Sequence, residues 1–221
     1  WQLFNDLQNY NPYTKSMLIK LGRAYDLLNR KNIIYGIQGG KGSFNEEAIL
    51  FYTKKNKINN FKIKYLYTSE KVLKNLHEGN IDYGLFAIQN AVGGVVEEST
   101  QAMVKYKFKI VKEFQILIRH FLMKRKDADV RQIKTIMAHP QNFAQCKKTL
   151  AKQYSKLILE SSQGDLVDTA KCAEALSKNK IDKNTAILGP KILAKIYDLE
   201  IIEEDLQDSR NNLTTFFLVS R

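Results

Sequence analysis

Residues 108–123 read FKIVKEFQILIRHFLM. Sixteen residues with this much β-branched and aromatic content exceed an ordinary strand, which runs about five or six residues. The stretch is best read as two strands joined by a crossing between two lobes. The sequence on either side supports that reading. Upstream, IIYGI (33–37), FKIKYLY (61–67) and DYGLFAIQN (82–90) are strands. SFNEEAILFYTKK (43–55), SEKVLKNLHEG (69–79) and EESTQAMVKYK (97–107) are helices, the first opened by Ser43 and Glu46 at capping-box spacing. Downstream the alternation resumes: strand IKTIMAH (133–139), helix QNFAQCKKTLAKQ (141–153), strand KLILES (156–161), helix DLVDTAKCAEALS (165–177), strand TAILG (185–189), helix PKILAKIY (190–197). LEIIEE (199–204) and LTTFFLVS (213–220) close the chain. Strands alternating with helices predict an α/β fold with parallel-rich sheets.

A chain of 221 residues can bury one large core or two small ones. Residues 1–31 show helical apolar spacing (Met17, Leu18, Leu21, Tyr25, Leu28) and are expected to form a helical extension packed on the main body or the tail of a preceding domain. The sequence opens on Trp1 rather than Met, so the native N-terminus is expected upstream. The remainder divides into a first lobe of 32–112 plus 196–221 and a second of 113–195. The net charge of +12 raises a nucleic-acid surface, but the lysines are dispersed and no nucleic-acid module is recognisable. A positive field drawing small anions is the milder reading. No apolar run reaches membrane-span length. Cys146 and Cys172 stand alone, which suits a reducing, cytoplasmic setting with an organelle left open, and no Cys/His spacing suggests zinc.

Five short stretches could carry chemistry. GGKGSF (39–44) follows a strand and opens a helix, so it is either a tight turn or a small-anion cradle. It fits neither the P-loop, since Gly42 follows Lys41, nor the dinucleotide fingerprint, since Asn45 replaces the third glycine. AIQNAVGGVV (87–96) puts Gln89 and Asn90 at a strand's C-terminal end, where α/β sheets bind ligands; a turn with a capping amide reads equally well. In AHPQNFAQC (138–146), His139 precedes a helix-opening Pro140 and alone would be a cap. DTAKCAEAL (168–176) mainly suggests close helix packing, and RNNLTTFFLVS (210–220) a turn entering a buried strand.

Taken in series these segments resemble the signatures of the prephenate dehydratase family: a GPxGSF turn, a PIENSxxGxV segment, HPQxLAQC, an STAxAA helix and a closing NxTRF. The resemblance runs from about Ile33 to the C-terminus. It implies a two-lobed fold similar to periplasmic binding proteins, with the active site in the cleft between lobes. The implied reaction removes water and carbon dioxide from prephenate to give phenylpyruvate in phenylalanine biosynthesis, without metal or organic cofactor. It also implies a small anionic substrate (prephenate or arogenate), and a homodimer or higher oligomer. Thr214 aligns with the threonine thought to assist loss of the hydroxyl. Lys41, Gly42, Ser43, Gln89, Asn90, Gln141, Thr169, Thr215 and Phe216 are the implied substrate-binding positions.

The chain departs from the pattern at Thr215, where the family keeps Arg, and at Gln89 and Ala91, where it keeps Glu and Ser. Losing an Arg fork on a carboxylate should cost about 1.5–3 kcal/mol. Gln89 and Thr215 are therefore expected to face each other across the cleft as a neutral pair, with Lys41 or Arg210 supplying the missing cation. The alternatives to a working dehydratase are a relative that decarboxylates without aromatising and a non-catalytic binding protein; the retained Thr214 argues against the former. The phenylalanine-binding ACT domain of many relatives has no counterpart in these residues, and LGRAYDLLNR (21–30) is too short to identify a chorismate mutase segment.

Overall fold

The computed structural model describes residues 32–161 and 168–221, together with Met17. The expected helical extension over 1–31 and the start of the helix predicted from 165 fall outside these residues. The first lobe is built in chain order from β1 (Ile33–Ile37), α1 (Phe44–Lys55), β2 (Phe61–Tyr65), α2 (Ser69–Glu78), β3 (Tyr83–Asn90), β4 (Gly94–Val95), α3 (Glu97–Met103) and β5 (Lys109–Leu117). The second comprises β6 (Phe121–Arg125), β7 (Thr135–Met137), α4 (Pro140–Gln145), α5 (Lys147–Gln153), β8 (Ile158–Glu160), α6 (Thr169–Ser177), β9 (Thr185–Gly189), α7 (Ile192–Ile196) and β10 (Leu199–Glu203). The chain then returns to the first lobe as β11 (Leu213–Ser220).

The stretch 108–123 does split, at Ile118–His120, into β5 of one sheet and β6 of the other. The sheets run β2-β1-β3-β11-β5 and β10-β6-β9-β7-β8. β1 pairs in parallel with β2 and β3, and β7 with β8 and β9, as expected for strands linked by helices. β11 inserts antiparallel between β3 and β5. That position explains its sequence: Phe216, Leu218 and Val219 are buried because sheet neighbours flank the strand and cores cover both its faces. The result is two α/β lobes, each built on its own sheet.

Sheet membership corrects the expected lobe boundaries. β5 stays paired with β11 as far as Leu117, so 113–117 belongs to the first lobe. β10 pairs with β6, so 199–203 belongs to the second. The two crossings are therefore 118–120 and 204–212.

The helix predicted over 141–153 is two helices. The second crossing breaks it: Asp208 N–H donates to the Gln145 carbonyl at 2.8 Å, and the Asp208 carboxylate accepts from the N–H groups of Lys148 (2.8 Å) and Thr149 (2.9 Å) and from the Thr149 hydroxyl. The carboxylate thus caps α5 from 60 residues away. At α1, Ser43 accepts the Glu46 N–H as expected, while the Glu46 carboxylate reaches back to the N–H of Gly42 rather than of Ser43. Replacing Asp208 by Ala should lower stability by about 1–2 kcal/mol, the usual worth of such a cap. Urea titration of the two proteins measures it.

Candidate active site

Between the lobes lies a cavity of about 310 Å³. From the first lobe it is lined by Gln38–Gly39 and Ser43–Asn45 after β1, by Tyr67, Thr68 and Lys71 after β2, and by Ala87, Asn90, Thr214 and Phe216 of the central strands. The second lobe contributes His139, Gln141, Asn142 and Gln145 after β7, and Asp168–Lys171 at the start of α6. The lining that follows β1, β2, β7 and β8 sits beyond strand C-terminal ends, where helix N-termini also point, while Thr214 and Phe216 come from the start of β11. Ser43, Thr68 and Asp168 are the N-caps of α1, α2 and α6. These positive helix ends converge on the cavity with those of α3 and α4, whose N-caps Val96 and His139 also line it; Lys71 and Lys171 join them, which makes it a place for anions.

Thr214 is held from behind. Asn90 Nδ2 donates to Thr214 Oγ1 at 2.8 Å and to Asn212 Oδ1 at 2.8 Å, while Asn90 Oδ1 accepts from the N–H groups of Val92 and Gly93. Because Thr214 Oγ1 already accepts, its own proton is available for donation. Asn212 Nδ2 donates to the Ile118 carbonyl and to Gln145 Oε1 (2.7 Å), which also contacts His120 Nε2 at 2.8 Å. An amide oxygen can only accept, so the His120 proton sits on Nε2. The ring has no exposed surface, and burial pushes its pKa down to about 4 despite the opposing bond to Gln145.

A β-bulge shapes the wall. Thr215 pairs with Gln89 but Phe216 pairs with Ala87, leaving Ile88 as the extra residue of β3. Ala87 and Asn90, three apart, can then both face the cavity, which strict alternation forbids.

Of the implied substrate-binding positions, Ser43, Asn90, Gln141, Thr169 and Phe216 line the cavity with Thr214; Lys41, Gly42, Gln89 and Thr215 do not. Gly42 lies under α7, where an added Cβ would meet Leu193 at 2.5 Å, and at φ +87° it needs to be glycine for the turn itself. Lys41 and Arg210 are exposed and outside the lining. Gln89 and Thr215 are neighbours, but within one sheet rather than across the cleft. Thr214 and Phe216 point into the cavity, so Thr215 points the other way, its hydroxyl accepting from Gln115 Nε2 at 3.0 Å. The position where the family keeps Arg therefore lies on the back of this sheet.

Several lining residues had no sequence signal. Lys171 lies inside an alanine-rich helix, its Nζ 4.2 Å from the Tyr67 ring centre. Lys71 reads as a surface lysine of an amphipathic helix. Glu98 looks like first-turn acid, yet its carboxylate accepts from Gln38 Nε2 (2.7 Å) and the Ser69 N–H (2.6 Å). The strand-end rule would have found them, because it marks every β-to-α turn and not only the glycine-rich one. Gln141 Nε2 bridges to the Val95 carbonyl of the first lobe at 3.0 Å. Thr169 Oγ1 accepts from the His139 N–H and Asn142 Nδ2, both at 3.1 Å. Burial lowers the pKa of His139, whose Nδ1 accepts the Gln141 N–H. Burial raises that of Asp168, with the Ala170 and Gly40 N–H groups and the Lys171 charge acting in the opposite sense. Among the described residues no group of three or more His, Cys, Asp or Glu could hold a metal, and no helix is long and apolar enough to cross a membrane.

The family model described as prephenate dehydratase matches residues 35–221. The chain belongs to that family. It is 30% identical over its whole length to the bifunctional chorismate mutase/prephenate dehydratase of Buchnera aphidicola (subsp. Acyrthosiphon pisum), of which it spans 55%. A prephenate dehydratase of Methanocaldococcus jannaschii is 30% identical over 86% of this chain and 65% of its own length. The chain thus spans a little over half to two thirds of these relatives. Among solved structures, the prephenate dehydratase of Arthrobacter aurescens in complex with L-Phe superposes with a TM-score of 0.72 at 23% identity, covering 86% of this chain and 60% of that one.

The buried His120 gives the fold a pH dependence of known sign. Its pKa is lower folded than the ordinary 6.5, so the unfolded chain binds more protons between pH 6.5 and 4. Its contribution is fully present above pH 6.5 and is lost as the pH falls towards 4, by up to about 3 kcal/mol. Chemical denaturation at pH 7 and pH 4.5 should show a smaller drop for His120→Gln than for the unmodified protein.

Proposed function

We propose that the chain is a prephenate dehydratase, acting on a cyclohexadienyl dicarboxylic acid to release water and carbon dioxide and leave an aromatic ring. The observation that carries this is the Thr214 hydroxyl on the cavity wall, accepting from Asn90 and free to donate forward. The ring carboxylate leaves as carbon dioxide, its bonding pair enters the ring, and the ring hydroxyl departs with its own pair. One proton is taken up to make water. Gain of aromaticity supplies the driving force, so the protein need only orient the acid and stabilise the departing oxygen. Thr214 is too weak an acid to protonate anything freely; a preorganised donor beside developing hydroxide is what the reaction uses. The converging helix ends with Lys71 and Lys171 hold the carboxylates. His139, its proton on Nε2 because Nδ1 accepts, offers a further neutral donor. This reading carries with it the homo-oligomer that the family resemblance implies and a cytoplasmic or organellar setting.

Purified protein incubated with prephenate or arogenate should form phenylpyruvate or phenylalanine respectively. Thr214→Val should lower kcat about 10²–10³-fold while binding persists, the range for losing one preorganised donor. No turnover by the unmodified protein, with binding retained, would favour the binding-protein reading.

A further inference from the structure

The cavity contains a carboxylate that the dehydration does not need. Asp168 Oδ1 caps α6 by accepting the Ala170 N–H at 3.3 Å. Its other oxygen, Oδ2, is buried without a hydrogen-bond partner among the described residues. The second cavity carboxylate, Glu98, is by contrast engaged at both oxygens. Capping alone does not require a charge here: Ser, Asn and Asp cap about equally well. Lys171 and the N-terminus of α6 offset part of the Asp168 charge, and a cation on a substrate that carries two carboxylates would offset the rest.

We propose that Asp168 receives an α-ammonium group, making the preferred substrate the 2-amino acid (arogenate) rather than the 2-oxo acid (prephenate). This rests on the dehydratase reading and fixes its substrate class. Lys171 follows Asp168 by three residues, at a spacing that shares one helix face, and both line the cavity. An anion and a cation at that spacing match the ammonium and carboxylate on adjacent atoms of an α-amino acid head. The 2-oxo acid would instead set a carbonyl lone pair against the Asp168 carboxylate.

The test compares kcat/KM for arogenate and prephenate, with isothermal calorimetry of each substrate, for the unmodified protein, Asp168→Asn and Asp168→Ser. Both substitutions keep a good cap, and an unchanged thermal midpoint verifies that. The unmodified protein should prefer arogenate at least about tenfold, and either substitution should shift the ratio towards prephenate by about 10- to 100-fold, the worth of one hydrogen bond to a charged group. A preference for prephenate in the unmodified protein, or an equal loss on both substrates, overturns the assignment. If neither substrate is turned over, the dehydratase reading fails and calorimetry decides this one. Tighter arogenate binding that Asp168→Asn abolishes supports it, and equal or absent binding of the two acids overturns it.

Discussion

Asn212 is the joint on which this molecule turns. It sits at the end of the second crossing, fully buried, with its amide bonded to the first crossing at Ile118, to Asn90 at the site and to Gln145 in the second lobe. A buried amide left unpaired costs more than the same group paired gains, so the three bonds stand or fall with one relative placement of the lobes. Thr214 takes its orientation from Asn90, which is itself anchored on Asn212. Cleft geometry and hydroxyl orientation are therefore set by a single buried network.

The same crossing reshapes the second lobe. Asp208 draws the chain against α4 and α5 and supplies a cap for α5 that the local sequence lacks. Ending α4 at Gln145 places that side chain against the crossings. A continuous helix would leave Asp208 without its donors. The helix break and the interlobe network share one cause, the return of the chain to the first lobe.

The α/β class, the order of elements and the split at 118–120 were legible because they follow from periodicity and length, which are local properties. Thr214 was singled out by the family resemblance, and it does line the cavity. The direction of Thr215 was also implicit: neighbours in a strand alternate faces, so if Thr214 meets substrate, Thr215 cannot meet it from the same strand. The expectation of a lost substrate cation overlooked that parity. What could not be read was set by distant partners. The Ile88 bulge depends on how β11 aligns, the break at Cys146 depends on Asp208, and the lobe boundaries depend on which sheet β5 and β10 join.

Charge is the other lesson of scale. The +12 net charge is spread over the surface and says little about the site. The local field comes instead from helix N-termini and two lysines closing on about 310 Å³, a balance that composition cannot register. Within so small a volume a single carboxylate weighs heavily, because burial weakens the solvent screening that makes surface charges nearly interchangeable. Glu98 is compensated by donors on both oxygens, which makes it part of the wall. Asp168 has the Ala170 N–H on Oδ1, with the Gly40 N–H and the Lys171 charge also acting on the carboxylate, and its Oδ2 is the oxygen without a bonded partner among the described residues, where the proposed ammonium would sit.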